Sequence, residues 1–146
     1  MQIVNKELGF TYDVPDDFKE IPKEKYKEYN IEEGTLGVFV KLIDGVPFTI
    51  SLNRDDDAPD EKTYKELVDE NAFNMKRMGM TIIGRVERAG KRAKIDVLYS
   101  EFKGLRFVTY FTTICGIMVA CSTEIKEKDD EFDKTVAALF ESIKEI

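Results

Sequence analysis

The chain has 146 residues and contains no histidine. This absence excludes Ser-His-Asp and Cys-His catalysis, and it excludes any metal site that uses an imidazole ligand. General acid–base chemistry would fall to carboxylate, lysine, tyrosine or cysteine side chains, and no pair of these has a diagnostic spacing. We therefore expect a protein without catalytic residues.

Cysteine is scarce, since only Cys115 and Cys121 are present. If both lie in or beside one strand, six residues separate them by roughly 20 Å at about 3.3 Å per residue. A disulfide needs Cα atoms within about 7 Å of each other. The spacing predicts two free thiols, which are typical of a reducing compartment.

Long hydrophobic runs are also missing. No stretch approaches the ~18 apolar residues that a membrane-spanning helix needs. Residues 1–7 lack the apolar core of a secretory signal. If no leader has been removed, we expect a cytoplasmic protein without a membrane span.

The net charge of −7 disfavours nucleic acid and anionic membranes as partners. The charge is uneven, because seven Lys or Arg and one acid lie between positions 76 and 94. That window carries +6 and the rest of the chain carries −13. The acidic majority of the chain therefore surrounds one basic segment.

Within the basic segment, a candidate surface for an acidic partner is formed by Arg85, Arg88, Lys91 and Arg92. These cations surround one predicted turn. Neighbouring residues of a strand point to opposite faces, so only some of the four can converge. The alternative is that they protect the edge of a sheet from unwanted pairing.

Apolar patterning predicts seven strands, at 8–14, 36–43, 46–53, 80–88, 93–101, 105–113 and 117–124. The pair Asp44-Gly45 separates two of them and is a strong hairpin signal, because both turn residues need positive φ. A first helix follows from apolar residues at helical spacing between Tyr64 and Met78, with Gly79 suited to its C-terminal cap. The apolar stripe of a second helix comprises Phe132, Val136, Leu139, Phe140 and Ile143.

The element order βββαββββα predicts an α+β fold in a single domain, residues 1–146. Consecutive strands joined by tight turns form an antiparallel sheet, here of about six to seven strands. The two helices must cover its faces, so we expect the sheet to be sandwiched between them.

Three segments make the chain resemble the PsbP-like superfamily, which includes the Mog and DcrB-like proteins. They are Gly-Phe-Thr-Tyr-Asp-Val-Pro-Asp-Asp-Phe at 9–18, Gly-Lys-Arg-Ala at 90–93, and Phe-Glu-Ser-Ile-Lys at 140–144 preceded by Phe132. The resemblance implies a mostly non-catalytic role, since relatives serve as photosystem accessory subunits, a small-GTPase binder and chaperones. It carries no shared active site to this chain.

The predicted turn at 114–116 is unusual for its apolar neighbours. Ile114, Cys115, Ile117 and Met118 surround a single glycine, Gly116, where a three-residue loop with a bulge is expected. Either a helix end or the segment 18–30 covers these side chains, or they form an exposed contact site. We expect contact with a protein partner or a second copy here, lost without unfolding in an Ile114→Asp, Ile117→Asp variant.

An acidic run offers a candidate metal site formed by Asp55, Asp57, Asp60 and Glu61. Carboxylates ligate hard cations such as calcium, but the pattern is not that of an EF-hand loop. Acids just before a helix also stabilise its positive N-terminal end. The sequence favours this structural role over a metal.

The function predicted from the sequence is that of a non-catalytic, cytoplasmic binding protein of the chaperone or adaptor type, with no cofactor. The first alternative is a module for a small ligand or a metal ion. The least favoured alternative is an enzyme that uses carboxylates or a thiol.

Overall fold

A computed structural model describes residues 1–89, 94–125 and 130–146, without the side chains of residues 89 and 130. The elements in chain order are β1 (Gln2–Asn5), β2 (Phe10–Asp13), β3 (Lys19–Glu20), β4 (Thr35–Ile43), β5 (Val46–Asp57), α1 (Glu61–Arg77), β6 (Thr81–Ala89), β7 (Lys94–Phe102), β8 (Leu105–Ile114), β9 (Ile117–Ile125), α2 (Asp130–Ser142) and β10 (Lys144–Glu145). A 3-10 turn occupies Lys23–Lys25.

The strands form a seven-stranded antiparallel sheet in the order β3-β4-β5-β9-β8-β7-β6 and a small sheet in the order β1-β2-β10. The α+β class and the antiparallel sheet are confirmed. The predicted order βββαββββα was incomplete, because it lacked the short strands β1, β3 and β10. No helix in the described ranges is long and apolar enough to cross a membrane.

The large sheet lies between the two helices. Tyr64 and Val68 of α1 pack on one face, against Leu98, Phe111 and Met118 of the sheet. On the other face, α2 and β2 pack against the main core, and the predicted stripe of α2 is buried there. Alternate residues of each central strand therefore serve two different cores.

Three hairpins of the large sheet use the same two-residue turn. Asp44-Gly45, Lys103-Gly104 and Cys115-Gly116 all have positive φ at both residues. The Asp44-Gly45 prediction is confirmed. The predicted three-residue loop at 114–116 is wrong, because Ile114 pairs directly with Ile117 and leaves only two residues in the turn.

Strand β5 continues through the acidic segment, beyond the predicted end of the strand at residue 53. Asp57 pairs with Ile117 of β9 after a register shift that follows Arg54. Backbone pairing across the sheet here outweighs the poor strand propensity of aspartate. The helix start lies at Asp60, whose carboxylate accepts a 2.7 Å hydrogen bond from the Thr63 backbone N–H, and this bond lowers the pKa of Asp60.

Gly37 lies in β4 where no side chain fits. A Cβ added there would be 2.6 Å from the Tyr12 hydroxyl oxygen and 2.9 Å from the Phe39 ring. Tyr12 is buried, and its hydroxyl has no hydrogen-bond partner among the described residues. The nearest obstacle to a side chain at Gly37 is therefore the Tyr12 hydroxyl oxygen, which makes no hydrogen bond to a described residue.

Gly37→Ala is expected to lower the free energy of unfolding by about 1–3 kcal/mol, because overpacking strains a close-packed core. Tyr12→Phe is expected to be neutral or stabilising, because it removes a buried hydroxyl without a partner. In the double variant, part of the lost free energy of unfolding should be recovered, because the Tyr12 hydroxyl that crowds the new methyl group is gone. Urea unfolding of the four proteins measures this coupling, and strictly additive losses would show that the two side chains do not meet.

Candidate functional site

A half-open cavity of about 820 Å³ wraps around one end of the large sheet. Its walls come from segments 58–65, 94–96, 112–116 and 140–145, so the start of α1, the β8–β9 turn and the end of α2 all contribute. We call this cavity the Cys115 groove. It is large enough to hold a small molecule or several side chains of a peptide.

Backbone contacts between distant segments build the groove. The Ala58 N–H donates to the Gly116 carbonyl at 2.8 Å, which ties the β8–β9 turn to the segment before α1. The Ile146 N–H donates to the Gly9 carbonyl at 3.0 Å, and the Cys115 thiol lies 3.5 Å from the same oxygen. These contacts hold the C-terminal strand and the loop before β2 beside the β8–β9 turn.

The groove is acidic. Its lining includes five carboxylates, Asp60, Glu61, Asp96, Glu141 and Glu145, and only two lysines, Lys65 and Lys94. The net charge of the described lining is −3.

Both lysines of the groove are already paired. Lys94 Nζ lies 2.9 Å from a Glu61 oxygen and 3.2 Å from a Glu87 oxygen, and Lys65 Nζ lies 3.6 Å from the same Glu61 oxygen. In the described ranges, no cation pairs with Asp96, Glu141 or Glu145. Asp96 lines the groove from the α1 face of the sheet, since it pairs with Phe111, and Glu141 and Glu145 line it from α2 and β10.

Asp96 is the most deeply placed of these acids. It sits in β7 and is only 8% exposed. The buried hydroxyl of Tyr64 lies beside it and donates a 3.0 Å hydrogen bond to the Phe111 carbonyl. Burial, and then Asp96, raise the pKa of Tyr64 well above its usual range. A carboxylate held in so little water favours a cationic partner.

Neither thiol of the chain is activated. Burial and the nearby Glu145 raise the pKa of Cys115, and burial raises the pKa of Cys121 to about 12. Both cysteines are free, with Cys115 exposed and Cys121 buried, as the sequence predicted. Since the thiolate is the reactive form, Cys115 is a slow nucleophile at neutral pH.

The predicted contact site at the β8–β9 turn is only partly present. Ile117 is 4% exposed in the main core and Met118 is 0% exposed beneath α1, so the prediction is wrong for these two residues. The short turn places both inside β9, with side chains on opposite faces. The half-buried Ile114 and the exposed Cys115 remain, and both line the groove.

The four acids of the predicted metal site are not brought together. Asp55 accepts a 3.1 Å hydrogen bond from the Asn71 side chain, and Asp57 lies 3.0 Å from Arg54. Asp60 caps α1 and Glu61 pairs with the two lysines. The described part of the chain contains no group of three acids or cysteines arranged for a metal.

The predicted basic patch is divided between the faces of β6. Arg85 pairs with Leu98 beneath α1, and its guanidinium lies 2.6 Å from Asp69. Arg88 pairs with Ile95 and points to the opposite face, so the two arginines do not converge. Lys91 and Arg92 lie outside the described residues, as does the whole 90–93 motif.

The three groove carboxylates without a described cation were not predicted from the sequence as site residues. Asp96 lies between Ile95 and Val97, and a charge inside an apolar strand was the available signal. Glu141 and Glu145 are ordinary surface acids in sequence. They line the same groove as Asp96 only because α2 and β10 return to the end of the sheet.

Comparisons with known proteins place the fold. No family model matches the chain, and no curated protein matches it. The solution structure of cyanobacterial PsbP (CyanoP) from Synechocystis sp. PCC 6803 matches with a TM-score of 0.65 and 15% sequence identity. The match covers 100% of this chain and 92% of that chain.

This protein has a PsbP-like fold. The resemblance predicted from the sequence is confirmed at the level of the fold. A PsbP-like fold shared at 15% identity shows the architecture alone, so function has to be argued from the groove.

Proposed function

We propose that the protein is a non-catalytic accessory protein that binds a basic, partly apolar segment of a partner polypeptide in the Cys115 groove. The observation that carries this proposal is the set of three carboxylates, Asp96, Glu141 and Glu145, which line the groove without a described cation. Positively charged side chains of the partner would form ion pairs with these carboxylates.

The apolar part of the lining supports a segment with apolar as well as basic side chains. Ile114 is half-buried and lies in the groove, above the nearly fully buried Ile95, Phe140 and Ile143. Lysine and arginine bury their aliphatic stems on such surfaces while the charged group reaches an acid. A segment that alternates basic and apolar residues would match both features.

We also propose a reducing, cytoplasmic setting for this role. The exposed Cys115 thiol sits in the groove itself. In an oxidising compartment such a thiol would be open to mixed disulfides, which would obstruct binding.

Charge reversal at the groove tests the proposal. The Glu141→Lys, Glu145→Lys variant changes two exposed side chains, so the fold should be kept. The probe is a fluorescein-labelled nonapeptide of Lys-Leu-Ser repeated three times, measured by fluorescence anisotropy. We expect affinity to fall about tenfold or more, because two attractive contacts become repulsive.

The matched control is Glu32→Lys, Glu33→Lys, which makes the same change in net charge at exposed positions outside the groove. It should bind the probe nearly as tightly as the unmodified protein. Equal weakening in both variants would show that the acidic chain attracts the peptide without using the groove, and would reject the proposal.

A second candidate is a small amine with an apolar body, because the groove volume lies within the range of small-molecule sites. Hexylamine in the same assay separates the two. Displacement of the peptide by hexylamine at micromolar concentration, through the groove carboxylates, would favour the small ligand.

A further inference from the structure

Strand β6 forms one end of the seven-stranded sheet. It is nine residues long and pairs with β7 along one side. No described residue pairs with its other side. A long edge strand presents free N–H and C=O groups on which another strand can add.

We infer that two copies of this chain pair through β6, antiparallel and centred on Val86. In this register Arg85 of each copy lies opposite Glu87 of the other, and Gly84 lies opposite Arg88. Directly opposed charges of opposite sign stabilise a strand pair. The two-fold symmetry produces the Arg85–Glu87 contact twice.

The charges select this register among its neighbours. A shift of the centre by one residue toward the N-terminus would place Arg85 opposite Arg85. The same shift toward the C-terminus would place Glu87 opposite Glu87. Like charges directly opposite each other are destabilising. The pattern that protects this edge against most strands is therefore attractive to a copy of itself.

Contacts within each copy hold the charged side chains in place. Arg85 lies 2.6 Å from Asp69 of α1, and Glu87 lies 3.2 Å from Lys94 of β7. A guanidinium has five N–H donors, so Arg85 can bind Asp69 and a second carboxylate together. Pairing would add ion pairs to β6 without breaking those already formed.

Exposed apolar side chains accompany the edge. Val86 at the proposed centre is 42% exposed, and Ile83 is 50% exposed. Phe73 is 60% exposed and lies one helical turn after Asp69, on the side of α1 that meets Arg85. A second copy seated along β6 would cover Val86 and bring the two α1 helices close together.

The paired stretch is short. The β6–β7 register shifts between Ile82 and Gly84, so the longer part of β6 in one continuous register runs from Gly84 to Ala89. A small interface of this kind gives a weak dimer. We therefore expect dissociation in the micromolar range or above, visible as concentration-dependent sedimentation.

Sedimentation equilibrium of charge-swap variants tests the inference. Arg85→Glu alone and Glu87→Arg alone should each raise the dimer dissociation constant about tenfold or more, since each creates two like-charge contacts. An equimolar mixture of the two single variants should recover the dimer, because every acid then faces an arginine. The double variant should also recover it.

The matched control is Arg106→Glu, which makes the same charge change at an exposed position of β8. It should leave the dissociation constant unchanged. The inference would be overturned if the unmodified protein were monomeric at every concentration. It would also be overturned if the mixture of the two single variants stayed monomeric.

Discussion

The Ile117→Asp variant is expected to lose at least about 4 kcal/mol of its free energy of unfolding. Removing a buried isoleucine side chain costs about 2–5 kcal/mol, and placing a carboxylate in an apolar core adds to this loss. Domains of this size have about 5–15 kcal/mol in total. Circular dichroism during guanidinium unfolding should show a variant that is largely unfolded or close to it.

The control lies two residues away at the adjacent turn. Cys115 is exposed and has φ +51°, a conformation that asparagine adopts more readily than most residues. Cys115→Asn should therefore stay within about 0.5 kcal/mol of the unmodified protein. A fully folded Ile117→Asp variant would contradict the buried position of Ile117.

This result also decides how the β8–β9 turn can be studied. The Ile114→Asp, Ile117→Asp variant was expected to lose association without unfolding, but Ile117 lies in the main core. Loss of binding in that variant would only report loss of the fold. Exposed groove residues such as Glu141 and Glu145 are the suitable positions.

The Phe132→Ala variant is expected to cost about 3–5 kcal/mol. Phe132 is buried at the start of α2, with its ring centroid 5.1 Å from that of Phe48 in β5 and 6.4 Å from that of Phe18. It therefore joins α2 to the large sheet and to the segment before β3. Guanidinium unfolding followed by circular dichroism measures the loss.

Phe73→Ala is the matched control, because Phe73 is an exposed helical phenylalanine on α1. It should change the free energy of unfolding by no more than about 0.5 kcal/mol when the protein is dilute. Similar losses in both variants would mean that Phe132 does not anchor α2 as described.

Local chemistry explains why much of the fold could be predicted. Asp44-Gly45 determines its hairpin through the positive φ of both residues, and the stripe of α2 repeats at helical spacing. Strands β1 and β10 could not be predicted in this way. They are short, and their positions depend on pairing with β2, which for Lys144 and Thr11 joins opposite ends of the chain.

The candidate site was less predictable, because its parts are distant in sequence. Asp96 belongs to β7, Glu141 to α2 and Glu145 to β10, and only the folded chain places all three in the lining of one groove. The sequence singled out the β8–β9 turn for its apolar residues, and the turn lines the groove. The burial of Ile117 and Met118 depends on the main core and on α1, and the sequence of the turn alone does not predict these contacts.

Protection of Cys115 is the most direct test of binding in the groove. Cys115 is exposed in the groove, and Cys121 is buried and serves as an unreactive internal reference. Iodoacetamide labelling at alkaline pH, followed by mass spectrometry, gives the alkylation rate of Cys115.

The repeated Lys-Leu-Ser nonapeptide at ten times its dissociation constant should slow this rate about tenfold, because only the free protein reacts. The corresponding Glu-Leu-Ser peptide should have no effect. An unchanged rate with the basic peptide bound would show that the peptide binds elsewhere, and would contradict the assignment of the Cys115 groove as the binding site.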